Sequence, residues 1–424
     1  MSFVGTTARF AARFATRLAS PPVRPHAVAA IVAFGLAAAT APLANAASFQ
    51  SLYSFSGGTD GGSPLGRLVM DTSGILYGTT LSGGSGSGFD GIAAGTVFRF
   101  DPAAGVLTTL YSFGLAGATG SNPVAGLTFD PAGSLYGTTQ TGGTSTACSY
   151  GCGVVFKLVP ATQTLTVLHD FTGLGDGALP SARVIFGPQG ALYGTTTRGG
   201  IQTGCNGCGT VFALNPHTKV LTTLHSFGAT GDGVGPEGAL VADPAGVLYG
   251  TASEAGPHGS GIVFSVDSAT SAYAIRHAFD YHVDGAYPQS DLILKSGYLV
   301  GTTYAGGPSA DSLSGTVFAL NLASSALITL HSFVDTADGI FPAPGVTLDK
   351  NGLLYGTTNQ GGGSGAGTVY SLKPSTEAFA LVHDFAVSDG TQPAGGLIAD
   401  ATGALYGVTS GGGRGHGTIF KIVP

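Results

Sequence analysis

The chain has 424 residues, of which 72 are glycine, none is tryptophan and only 9% are charged, with a net charge of −7. An acidic, sparsely charged chain offers no field to a phosphate backbone, which argues against nucleic acid and anionic lipid as partners. The apolar residues fall in short β-branched and aromatic runs between turn residues, the pattern of strands rather than of disorder, and no long helical period appears after residue 50.

The chain opens on Arg9, Arg13, Arg17 and Arg24, an apolar stretch from Ala27 to Leu43, and the small-residue sequence ANAAS, with no acidic residue among them. This predicts a secretory leader over 1–46, cut near Ala46. An uncleaved membrane anchor is the alternative, since the stretch is nearly long enough to span a bilayer. Cleavage would leave 12 Lys and Arg against 23 Asp and Glu, a net of −11, in a mature chain without a membrane span that is secreted, periplasmic or held at the cell surface.

A lone strand SFQSLYSF (48–55) comes next, then a four-strand unit of LGRLVMD (65–71), ILYGTT (75–80), GTVFRF (95–100) and VLTTLYSF (106–113), which we call a, b, c and d. The joining turns, DTSG and DPAAG, put Gly or Asp where a positive φ is needed. Strand b then returns, its Tyr77 matched by Tyr136, Tyr193, Tyr249, Val300, Tyr355 and Tyr406 at spacings of 51 to 59 residues. A period near 50 with four strands per copy predicts propeller blades. The last copy stops at a c-type strand, GTIFKIVP (417–424), so the seventh blade lacks the d strand that the N-terminus has to spare. Pairing the two closes the ring and removes both open edges. The expected fold is therefore all-β: one seven-bladed β-propeller of four-stranded blades over 47–424, a monomer, with its last blade completed by the N-terminal strand. Within strand b, small Gly and Thr beside bulky Leu and Tyr suit close sheet packing, which makes LYGTT scaffold rather than a reaction centre.

The c strands GTVFRF, GTVFAL (209–214 and 315–320), GTVYSL (367–372) and GTIFKI, each but the last followed by a Leu-rich strand ending in Phe, resemble those of the bacterial GloVer tandem-repeat proteins, called "choice-of-anchor". The resemblance covers 48–424 and implies an exported repeat protein of the cell surface or exterior, with no activity attached. Since nothing follows Pro424, no C-terminal anchor is expected.

Sites are sought where the repeat breaks. The b-to-c loop shrinks from 14 residues in the first blade to 7 in the last while the a-to-b turn hardly varies, so the face carrying the b-to-c and d-to-a loops is the candidate binding face. ACSYGCG puts Cys148 and Cys152 in the second of these loops, and GCNGCG puts Cys205 and Cys208 in the third. Local disulfides, 148 to 152 and 205 to 208, suit an oxidising compartment; a zinc site shared by the loops, or bridges between them, are the alternatives. In the d-to-a loop Asp60 recurs as Asp176, Asp232, Asp284, Asp338 and Asp389, either a calcium-binding ring or, as the repetition favours, an Asp that caps its own turn. His169, His225, His277, His331 and His383 share one position on the outermost strand, too dispersed around a rim to share a metal, and are read as packing or edge polarity.

The third position of strand a, the strand lining the channel, reads Arg67, Gly126, Arg183, Ala239, Asp291, Gly345 and Gly396, and Glu237 and Gln289 stand out two positions earlier. Arg67, Arg183, Glu237, Gln289 and Asp291 are the channel-binding candidates. Charges converging on an axis suit a small anionic or sugar-like ligand, or an acid and base pair; the alternative is that they line a wet channel and pair with each other. Neither a Ser/His/Asp order nor a phosphate-binding GK[ST] motif is present, and no catalytic residue, metal or cofactor is assigned. The reading is an exported, non-catalytic binding or surface-structural propeller whose partner is an extracellular polysaccharide or protein. The alternatives are a carbohydrate- or lactone-directed hydrolase or lyase using the channel charges, and a protein-interaction scaffold built on the long loops of blades one to three.

Overall fold

The computed structural model describes residues 47–85, 94–114, 117–200, 207–308, 314–334 and 337–424, so the expected leader lies outside the described residues. Seven antiparallel blades follow the order a-b-c-d. The first comprises Val69–Met70, Leu76–Thr80, Thr96–Asp101 and Val106–Ser112. The ring closes as the repeat count requires: Ser48–Ser54 pairs antiparallel with Thr418–Val423, from Ser48 opposite Val423 to Ser54 opposite Thr418, and supplies the seventh blade's outer strand.

Four of the five letters of LYGTT have a contact that recurs. The glycine is dictated by the phenylalanine opposite it on strand c: a Cβ on Gly78 would lie 2.6 Å from the Phe98 ring, and 2.5 Å separates the same atoms at Gly194 and Phe212. The first threonine reaches the next blade, Thr79 donating to the Ala125 carbonyl at 2.8 Å and Thr138 to that of Ala182 at 3.0 Å. Its neighbour clasps strand c through a hydroxyl pair, Thr80 with Thr96 at 2.8 Å and Thr409 with Thr418 at 2.8 Å. The tyrosine hydroxyl donates to the Asp of the a-to-b turn, Tyr77 to Asp71 at 3.1 Å and Tyr136 to Asp130 at 3.1 Å. That Asp also caps the turn, Asp71 accepting from the backbone N–H of Ser73 and Ile75. Where the tyrosine is Val300, the Asp turn is gone too, replaced by a tight turn with Ser296 and Gly297 both at positive φ.

Two features differ from the expectation. Strand a is not the seven-residue strand predicted over 65–71; only Val69–Met70 pairs with strand b, and in blades two and three an inner carbonyl, Ala125 or Ala182, is taken by the preceding blade's threonine. Strand d carries a one-residue bulge that recurs around the ring, between Val97 and Phe98 in blade one and at the matching place elsewhere. The bulge turns an extra residue inward, so Leu110 and Leu168 are buried together with Phe113 and Phe171.

The bulge also sets the rim histidines. His169 lies 3.0 Å from Asp176, His225 3.0 Å from Asp232, His277 2.7 Å from Asp284 and His331 3.0 Å from Asp338, each Nε2 on the loop aspartate seven residues later. Tyr53 takes the same part toward Asp60 at 3.0 Å, and where the loop carries Thr119 instead, Tyr111 donates to it at 3.0 Å. The aspartates therefore close the d-to-a corner as well as capping it: Thr172 N–H donates to Asp176 at 2.9 Å. Burial would raise the Asp176 carboxyl, but hydrogen bonds from His169 and Thr172 outweigh it and hold it below its ordinary range. Rings then join blades, His225 stacking on Tyr273 at 3.8 Å and His331 on Phe379 at 4.0 Å.

Candidate functional site

The residue that follows the proline entering each blade lies at the axis. These seven, Leu65, Val124, Ser181, Glu237, Gln289, Ala343 and Ala394, ring a cavity of about 550 Å³ that opens on the face of the b-to-c and d-to-a loops. The ring is two-sided: blades three to five contribute Ser181, Glu237 and Gln289, the other four only apolar side chains.

Deeper in, Arg67, Arg183 and Asp291 form the floor, on the segments just before the short strands a rather than on those strands themselves. Arg183 Nε donates to Asp291 Oδ2 at 3.1 Å across the axis, and Asp291 Oδ1 accepts the Ala239 N–H at 2.8 Å. Arg67 instead donates to the Thr347 hydroxyl at 2.9 Å, and that hydroxyl in turn donates to the Leu397 carbonyl. Both arginines also line a second cavity of about 390 Å³ on the opposite side, walled by Leu68, Met70, Phe129 and Ile398, so the guanidinium groups partition the channel. Burial pulls the Arg67 guanidinium below its ordinary range, with Asp291 acting against that and Arg183 with it. Burial, then the like charge of Glu254, push the Glu237 carboxyl up, with Arg198 opposing. Glu237, Gln289 and Asn359 line the cavity and make no side-chain hydrogen bond among the described residues.

The structure brings all five channel candidates to one cavity and pairs two of them. A repeat profile described as the Gloeobacter/Verrucomicrobia repeat matches residues 39–200, 142–314 and 309–424, which together span the whole propeller. The chain belongs to that family. Its ring is similar to a protein described as the extracellular domain of a hybrid two-component system from B. thetaiotaomicron, at 14% identity over 88% of this chain and 41% of that one, with a TM-score of 0.56. It is similar also to the extracellular domain described for a one-component system of the same organism, at 11% identity over 88% of this chain and 39% of that one, with a TM-score of 0.55. The chain thus spans about two fifths of the length of those proteins, and the likeness is one of fold. A weaker likeness, TM-score 0.47 at 18% identity over 75% of this chain and 83% of the other, is to a Bacteroides uniformis protein described as a candidate 6-phosphogluconolactonase. No curated protein matches the chain.

In this repeat-family member the other sequence candidates sit away from the cavity floor. Cys148 and Cys152 are joined in a disulfide, which removes the zinc alternative for that pair. Cys208 is also disulfide-bonded, while Cys205, the partner expected for it, lies outside the described residues. No group of His, Cys, Asp and Glu suited to a metal occurs among the described residues.

Sequence reasoning missed one wall of the mouth. Tyr304, the residue after strand b of blade five, stacks on Phe341 at 4.5 Å, and both line the cavity. Phe341 occupies the position before the blade-entry proline, where the backbone is left-handed in every blade: φ is 51° at Ser63, 55° at Tyr287 and 56° at Phe341. That conformation is locked by two backbone bonds, as when Tyr287 N–H donates to Ser260 and its carbonyl accepts from Tyr304 N–H. A bulky residue there carries a cost of about 1–2 kcal/mol, so an aromatic at this site is a departure worth a reason. The signal was available, since only blades five and six place an aromatic before that proline.

Proposed function

We propose that this protein is an exported, non-catalytic propeller that binds a small polar ligand, such as the end of a polysaccharide, at the mouth of its channel. What carries the reading is a cavity of ligand size whose polar side chains Glu237, Gln289 and Asn359 make no side-chain hydrogen bond among the described residues, beside the aromatic wall of Tyr304 and Phe341. The hydrolase or lyase reading has less support: Asp291 has one carboxylate oxygen on Arg183 and the other on Ala239 N–H, which leaves no free base at the floor. Export is supported by the leader-like composition of 1–46 and by the Cys148–Cys152 disulfide, which suits an oxidising compartment.

The test is to express the full chain, collect the protein released from the cells, read its N-terminus by mass spectrometry, and titrate it with a panel of neutral and acidic oligosaccharides while following products. The expected result is a start near residue 47 and saturable binding without turnover, weakened by Gln289→Ala. Released products that Glu237→Gln abolishes would instead establish the enzyme reading, and binding that survives changes throughout the mouth would move the site to the long loops.

A further inference from the structure

The charges at the channel floor do not balance. Two guanidinium groups face one carboxylate, each of whose oxygens already accepts a hydrogen bond, one from Arg183 and the other from the Ala239 N–H. Among the described residues Arg67 has a single hydroxyl acceptor, Thr347, for five N–H donors. Arg67, half-buried between two cavities, shares the charge of Asp291 with Arg183, and a bound anion would offset the remaining cost of its burial. Among the three floor residues the surplus is one positive charge, which a monoanion matches, whereas a phosphate ester in its dianionic form would leave a charge over. The planar fork of a guanidinium matches a carboxylate in two parallel hydrogen bonds.

Above this floor the mouth offers hydrogen-bonding groups and an aromatic wall rather than further charge. Gln289 and Asn359 are free to meet hydroxyls, and Glu237, whose carboxyl is pushed up by burial and then by Glu254, lies beside them to meet a further hydroxyl. Tyr304 and Phe341 present apolar ring surface to the C–H face of a sugar. We propose that the channel mouth takes a uronic-acid residue, its carboxylate on Arg67 and its hydroxyls on Gln289, Asn359 and Glu237. This rests on the mouth being the binding site.

The test uses the protein secreted from the full chain, titrated by calorimetry with trigalacturonate, with the neutral galactotriose and with inorganic phosphate. Trigalacturonate is expected to bind roughly tenfold to a hundredfold more tightly than galactotriose, with phosphate not competing. Arg67→Met is expected to erase that preference while leaving the thermal midpoint of the unliganded protein unchanged or higher, because an only partly compensated charge has been removed. Equal binding of the charged and neutral trisaccharides, or an Arg67→Met variant that keeps the preference and melts earlier, would overturn the uronate assignment and leave the binding reading standing. Phosphate competing as well as trigalacturonate would overturn the sugar part of the assignment. No binding of any probe would overturn both.

Discussion

The second strand of each blade and the segment at the axis are copies of the same repeat, yet one is nearly invariant and the other carries the variety. In LYGTT the side chains are engaged by protein: glycine under the phenylalanine ring, threonine on the next blade, threonine on strand c, tyrosine on the turn aspartate. At the axis the residue after the blade-entry proline meets open cavity, and it reads Leu65, Val124, Ser181, Glu237, Gln289, Ala343 and Ala394 around the ring. A position whose every neighbour is fixed tolerates one residue, whereas a position facing solvent-filled space is free to diverge between blades. Specialisation in this ring is thus concentrated at the mouth and its floor, while the blades stay alike.

That contrast can be broken most severely at the closure. Deleting Ser48–Phe55 would strip the outer strand from blade seven and expose the edge of Thr418–Val423 together with the pocket of the fully buried Phe55. The expected loss is about 5 kcal/mol or more, with self-association through the exposed edge, read by chemical denaturation and size-exclusion chromatography. An unchanged, monomeric melt would mean that the closing pairing contributes little.

Next in size is the glycine under the ring. Gly78→Ala would force a Cβ into the Phe98 ring and is expected to cost about 1–3 kcal/mol, whereas Glu237→Gln, at the open mouth, should stay within about 0.5 kcal/mol. Pairing Gly78→Ala with Phe98→Leu should recover part of the loss, a coupling that a double-mutant cycle measures directly. Additive losses would mean that the glycine is required by something other than that ring.

A smaller difference separates two copies of the same tyrosine. Tyr136 donates to Asp130, but blade three has Gly187 where that aspartate would be, and Tyr193 makes no side-chain hydrogen bond among the described residues. Tyr136→Phe is therefore expected to cost about 1 kcal/mol in an equilibrium melt and Tyr193→Phe close to nothing.

These pairs show what could be read in the residues and what could not. Seven copies of one phrase, and a spare d strand at one end against a missing one at the other, are one-dimensional facts, and they sufficed for the blade number and the closure. The bulge in strand d is not such a fact. It depends on how Phe98 and Leu110 share a layer, and it decides that the rim histidine meets an aspartate seven residues on. The length of strand a was misjudged for a similar reason in blades two and three, where an inner carbonyl answers to a threonine about 45 residues away in another blade. The five channel candidates were visible as breaks in the repeat, but their grouping into an outer ring and a floor, and the Tyr304–Phe341 wall, required the closed ring.

The weakest effect expected is also the one that tests how tightly a corner must be built. Blade six enters blade seven through a loop one residue shorter, so His383 meets Asp389 after six residues instead of seven; its Nε2 lies 3.3 Å from the carboxylate without a hydrogen bond. Burial, which Asp389 only partly offsets, pulls this imidazole below the ordinary value of 6.5. A histidine whose folded pKa lies below its unfolded one favours the native state when neutral. Its contribution is then fully present above about pH 6.5 and is lost as the pH falls toward the folded value, because the unfolded chain takes up the proton first. Titration of the ring protons by NMR should place His383 below 6.5, and His383→Phe, which keeps a ring against Phe49, should flatten the fall of the thermal midpoint on the acid side of that value. An undiminished slope in the variant would assign the acid sensitivity to the corner aspartates, whose lowered values act further down the pH scale, and would show that the short loop leaves its histidine as well housed as the others.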